Sequence, residues 1–94
     1  MGILSAELHF SESGSLKGKR KFVKSVKAQL QHRFGAAVAE VDHHELWQRT
    51  RITVACVARD YKGVEGLLAD AERYLHGQDF ECSSVERQVV NMDD

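Results

Sequence analysis

Proline is absent from the 94 residues, cysteine occurs twice, tryptophan once, and aromatic side chains make up 7 % of the chain. Each shortage excludes something. Without proline there is no Pro-rich linker and no cis-Pro turn. Cys56 and Cys82 are too few for a disulfide framework or a four-cysteine zinc site, and such sparing use fits a reduced, cytoplasmic setting. No apolar run approaches the roughly 20 residues a membrane helix needs, so no membrane partner is expected. The opening Met1-Gly2-Ile3-Leu4-Ser5-Ala6-Glu7 lacks the basic flank and long apolar stretch of a secretory leader, and Ala6 stands where N-myristoylation wants Ser or Thr.

What remains is a globular balance, 43 % hydrophobic and 29 % charged, on a length that predicts one small domain over residues 1–94. The formal net charge of −1 conceals an asymmetry. Residues 1–34 carry seven Lys or Arg and two acids, a balance of +5; residues 35–94 carry six basic residues and twelve acids, a balance of −6. A neutral average therefore leaves room for a basic face.

Residues 3–10 alternate, with Leu4, Ala6, Leu8 and Phe10 on one side, and read as a half-buried strand. Ser11 to Ser15 reads as a loop, with Ser15 as an N-cap. From Leu16 to Phe34 the period changes, and Leu16, Val23, Val26, Leu30 and Phe34 form one helix stripe that stops before Gly35. Residues 36–42 read as a second strand, 43–48 as a short polar connection, and 49–60 as a third strand with Ile52, Val54, Cys56 and Ala58 on one face. Asp60 caps a second helix over 61–76, with the stripe Val64, Leu67, Leu68, Ala71 and Leu75, ended by Gly77. Residues 80–90 form the last strand. There Val85 and Val89 are out of phase with Phe80 and Cys82, which predicts a bulge near Ser83-Ser84. Asn91 to Asp94 reads as a frayed acidic tail. The order β-α-β-β-α-β predicts an α+β ferredoxin-like sandwich, a four-stranded antiparallel sheet with both helices on one face.

The first helix carries the main functional signal. Lys17, Arg20, Lys21, Lys24 and Lys27 project within roughly 120° of one another, away from the Val23/Leu30 stripe, and can meet successive phosphates. The alternative is a solvated face that keeps the protein soluble. Lys19 and Arg33 fall nearer the edges of the ridge. The outer faces of the central strands offer Glu7, His9, Thr53, Ala55 and Val57 and no aromatic, which excludes the base-stacking mode of an RNA-recognition motif. Trp47, with Gln48 and Arg49, is either an aromatic anchor for RNA or a lid over a helix end. His43 and His44 invite a metal reading, but adjacent side chains of an extended segment point to opposite sides; no metal or other cofactor is expected. Asp42 with His43 resembles an acid–base pair, yet no nucleophile or oxyanion feature accompanies it, and a non-enzymatic role is expected.

Two stretches resemble a known family. Ser15-Leu16-Lys17-Gly18-Lys19-Arg20-Lys21 resembles the Ser-Leu-Lys-Glu-Lys-Arg opening of the first helix in the YlxP-like family, small bacterial proteins classed as a domain of unknown function. Ala39-Glu40-Val41-Asp42-His43-His44-Glu45-Leu46-Trp47-Gln48-Arg49 resembles that family's Ala-Glu-Val-Asp-His-Gln-Asp-Leu-Trp-Gln-Arg segment, and Ser84-Val85-Glu86-Arg87 echoes its Asp-Val-Glu-Arg. The resemblance implies a ferredoxin-like fold, a bacterial cytoplasmic protein and, because the family's genes often adjoin those of translation initiation and ribosome maturation factors, an RNA or ribosomal partner. It supplies no catalytic residue. Gly18 departs from the family's Glu and removes a capping-box partner for Ser15; His44 departs from Gln. The expectation is an RNA- or ribosome-associated protein. The alternative is a self-associating interaction module, a homo-oligomer built on an edge strand and the open sheet face at Ala55 and Val57.

Overall fold

Capping residues set the helix ends. The Ser15 side chain accepts from Gly18 N at 3.1 Å, and Asp60 Oδ1 accepts from Gly63 N at 2.8 Å. Gly35, at φ 61°, turns the chain out of the first helix in a left-handed conformation that suits glycine, with its N–H on the Gln31 carbonyl. The structure, a computed structural model, describes residues 1–10 and 15–90. Residues 11–14 of the expected loop and the expected tail at 91–94 lie outside the described residues.

Six elements run in the order β1 (Gly2–His9), α1 (Leu16–Phe34), β2 (Ala37–Asp42), β3 (Arg49–Cys56), α2 (Tyr61–His76) and β4 (Glu81–Val89). They form one sheet in the order β2-β3-β1-β4, and each adjacent pair is antiparallel. This is the expected α+β ferredoxin-like arrangement. β1 and β3 are central; β2 and β4 are the edges.

Alternation divides the sheet into two faces. Leu4, Ala6 and Leu8 of β1, with Ile52, Val54 and Cys56 of β3, are buried against Val23, Val26 and Leu30 of α1 and Val64, Leu68, Ala71 and Leu75 of α2. Both helices therefore share one face and one core. Gly2 lies under α2, where a Cβ would meet Val64 Cγ1 at 2.5 Å and Leu68 Cδ1 at 2.9 Å. Its lack of a side chain permits that close approach. The other face is half-buried, and among the described residues no helix covers it.

The end of β3 departs from the sequence reading, and the β4 bulge agrees with it. β3 stops at Cys56 and not at Asp60: Cys56 pairs with Gly2, the first residue of β1, and beyond it the central partner has run out. Val57 is accordingly 77 % exposed and belongs to no strand, which removes it from the open sheet face where self-association had placed it. In β4 the register slips opposite Ala6, between the Ser5–Glu86 and Glu7–Ser83 pairs, and Ser84 takes φ 50°. The bulge returns Cys82 and Phe80 to the core side with Val85 and Val89, as the phase change required.

Candidate functional site

Lys17, Arg20, Lys21 and Lys24 are exposed on α1, and Lys27 is half-buried where the ridge descends toward β2. Among the described residues none of the five lies within ion-pair distance of a carboxylate. The first turn of α1 carries no acid. Arg20, Lys24, Lys27 and Gln31 line a groove of about 380 Å³ between α1 and β2, with Lys19 and Glu40 also in its lining. The charge of Lys19 is matched by Glu40, so Arg20, Lys24 and Lys27 leave the groove positive. Arg33 turns the other way, over the Tyr74 ring at 5.2 Å, and takes no part.

Lys19 is the residue that sequence reasoning placed wrongly. It stands at a core position of α1 and is 1 % exposed. Its Nζ lies 2.9 Å from Glu40 Oε2, donates to the His43 carbonyl, and reaches the His44 carbonyl at 3.4 Å. The buried Thr50 hydroxyl donates to the same Glu40 oxygen. Burial alone would raise the Glu40 carboxyl, but the hydrogen bonds from Thr50 and Lys19 and the Lys19 charge outweigh it and hold the group below its ordinary value. The physical consequence is a fastening. The β2–β3 connection, residues 43–48, which carries Trp47, is tied to the N-terminal half of α1. The periodicity of α1 does signal the burial, since Lys19 falls on the same stripe as Val23, Val26 and Leu30, but it cannot name the partners, which lie 21 to 31 residues further along the chain.

The connection does not gather all of its candidates on one surface. Trp47 is 44 % exposed and Gln48 exposed, its carbonyl accepting from Phe10 N at 2.7 Å. Arg49 pairs with His9 across β1 and lies on the open sheet face, opposite the helices. His43 and His44 diverge: His43 Nε2 donates to Glu7 Oε1 at 3.0 Å, whereas His44 Nε2 reaches the Glu40 carbonyl at 3.0 Å. Asp42 Oδ1 accepts from His43 N at 2.7 Å and closes the turn, with His43 at φ 63°. Among the described residues no cluster of His, Cys, Asp and Glu is arranged to hold a metal ion.

The open face has its own network. Glu7 meets His43, His9 at 3.8 Å and Arg51 at 4.0 Å, and Arg51 reaches Glu86 at 3.7 Å. The His43 hydrogen bond lowers the Glu7 carboxyl against the opposing effect of burial, and the charges of His43, Arg49 and Arg51 add to the lowering. Ser5 and Thr53 hydroxyls lie 2.9 Å apart beside it. None of the described strand residues on this face is aromatic; Phe10, Phe22 and Phe80 instead pack together at the other side of the sheet, with centroids 5.5 and 5.4 Å from Phe10.

The comparisons with known proteins leave the purpose of this geometry open. The structured domain of Drosophila melanogaster Boca superposes with a TM-score of 0.53 over 95 % of this chain and 99 % of that chain, at 16 % identity, a likeness of fold alone. The uncharacterized protein YlxP of Bacillus subtilis (strain 168) is 31 % identical over 58 residues, a match that spans 62 % of this chain and 63 % of that protein. Residues 1–89 match the family described as "Protein of unknown function (DUF503)". With nearly its whole length inside that match, the chain belongs to the DUF503 family.

Proposed function

We propose that this protein is a non-enzymatic cytoplasmic RNA-binding protein whose partner is structured RNA or a ribosomal particle, contacted through the basic face of α1. The observation that carries the reading is the set of five cations on one face with no carboxylate within ion-pair distance among the described residues. Unpaired surface cations keep their full charge for a polyanion and release its counterions on contact. Lys17, Arg20, Lys21, Lys24 and Lys27 neutralise phosphates, and Trp47 with Gln48 adds a stacking or shape contact from the connection that Lys19 holds against the helix. Arg49 faces away from this surface. The acidic remainder of the chain limits nonspecific affinity and orients the approach.

The test is binding to a structured RNA across a salt series. Contact with five phosphates predicts a log–log slope of about −3.5 to −4.5, at roughly 0.7–0.9 per contact. Reversing two charges, Lys21→Glu with Lys24→Glu, is expected to flatten the slope by about 1.4–1.8. No binding at low salt, or a slope near zero, overturns the reading.

A further inference from the structure

β2 is an edge strand, and among the described residues no strand pairs with its outer side. Edge strands are commonly protected by Lys, Pro or a bulge. Over Ala37–Glu40 β2 has none of these: the sequence is Ala-Val-Ala-Glu, the register slip begins only after Glu40, and the Glu40 carboxylate is turned onto Lys19. α1 runs alongside in the opposite direction. Its Lys19 end meets Glu40 and His43, and its other end joins β2 through Gly35 and the buried Ala36. Between them lies the groove with Arg20, Lys24 and Lys27 on its helix wall.

A strand edge and a wall of cations that are both without partners among the described residues are complementary to a particular chain. We infer that the α1–β2 groove takes an extended acidic peptide segment of a partner protein, added to β2 as a fifth strand. Main-chain hydrogen bonds to Ala37–Glu40 would hold it, and its side chains would alternate between the two sheet faces. Those on the helix side meet Arg20, Lys24 and Lys27. These span about 10.5 Å along α1, at 1.5 Å per residue, against about 13 Å for three alternate residues of a strand. Long Lys and Arg side chains absorb the difference. Those on the other side continue the row of Ala37 and Ala39 and need only be small or β-branched. The expected ligand pattern is therefore acid-x-acid-x-acid with uncharged x. This inference goes beyond the RNA reading and does not rest on it: both use cations of α1, but only the peptide needs the main chain of β2.

The experiment titrates the full chain with a fluorescent, end-capped ten-residue peptide of alternating Glu and Thr. Three comparisons accompany it: the same peptide N-methylated at alternate amides, a peptide of equal composition with its Glu residues clustered, and the Lys24→Glu, Lys27→Glu variant. The alternating peptide is expected to bind, and each comparison to weaken binding about tenfold or more, since each removes either the ladder, the spacing or the cations. Equal binding by the N-methylated peptide means charge attraction without strand addition and overturns the inference. So does equal binding by the clustered peptide, no binding by the alternating one, or a concentration-dependent dimer that the peptide fails to dissociate. The structured-RNA titration is run beside it. RNA binding without peptide binding overturns this inference alone, and peptide binding without RNA binding overturns the RNA reading alone.

Discussion

An ammonium group is stable inside a protein only when its charge is matched and its protons find acceptors. Lys19 meets that condition with the Glu40 carboxylate and the His43 and His44 carbonyls. Removing one partner strands the others. Lys19→Met leaves Glu40 without its counter-charge, although its side chain keeps 18 % exposure and can recruit water. The expected loss is about 3 kcal/mol in urea denaturation, the lower end for breaking a buried pair. Adding Glu40→Leu and Thr50→Val to Lys19→Met is expected to recover most of it, because an apolar set of similar volume that leaves no buried hydroxyl stranded is nearly neutral; a triple variant no better than Lys19→Met would refute the pairing. The same site sets an acid response. The Glu40 carboxyl is held below its ordinary 4.5, so its contribution is complete above that value and is lost as pH falls through the lower folded value. Stability measured from pH 6 down to pH 3 should fall more steeply in the parent chain than in Glu40→Gln, which starts lower near neutrality and is flatter in acid. Parallel curves would show that Glu40 is not linked to folding.

At the scale of elements, both helices were legible in the sequence because their ends carry local chemistry: Ser15 and Asp60 accept from the third helical N–H, and Gly35 takes the left-handed turn. The β4 bulge was legible too, since two apolar pairs out of phase can share one face only if a residue is inserted between them. The end of β3 was not. The alternation continues through Val57 and Ala58, and what stops the strand is the end of its neighbour at Gly2, a fact of pairing and not of local sequence. The partners of Lys19 were illegible for a related reason: spacing alone sets Lys19 on the helix stripe, and only the fold brings Glu40 and Thr50 to it. Of the candidate site, the basic ridge was readable, but the opposite placement of Arg49 depended on register. The bulge offers a test of this scale. Ser84 is exposed and sits at φ 50°, where a non-glycine residue is strained by about 1 kcal/mol. Allowing for glycine's greater freedom when unfolded, Ser84→Gly should stabilise by about 0.5 kcal/mol, whereas Ser84→Val should cost about 1–2 kcal/mol. The shift in urea midpoint decides; a destabilised glycine variant would mean that the Ser84 side chain makes a contribution larger than its backbone strain.

Over the whole molecule the fold turns a charge asymmetry along the chain into one across space. α1 holds its cations on the helix side of the sheet, while Arg49 and Arg51 stand on the open face among Glu7 and Glu86. Two substitutions with the same effect on net charge therefore separate face from total. Lys24→Gln and Arg49→Gln each remove one positive charge, and any attraction that depends only on net charge must respond equally to both. If RNA meets the face of α1, Lys24→Gln removes one phosphate contact and flattens the log–log salt slope by about 0.7–0.9, with weaker binding at every salt concentration. Arg49→Gln, on the opposite face, should leave the slope within about 0.2 of the parent, because its side chain faces away from the phosphates that α1 would meet and its charge is screened by solvent. Equal losses would reduce the basic ridge to a contribution to net charge, and a larger loss at Arg49 would move the interface to the open sheet face. The predicted inequality follows from the register that pairs Arg49 with His9 and from the burial of Lys19, which together fix which cations share a surface.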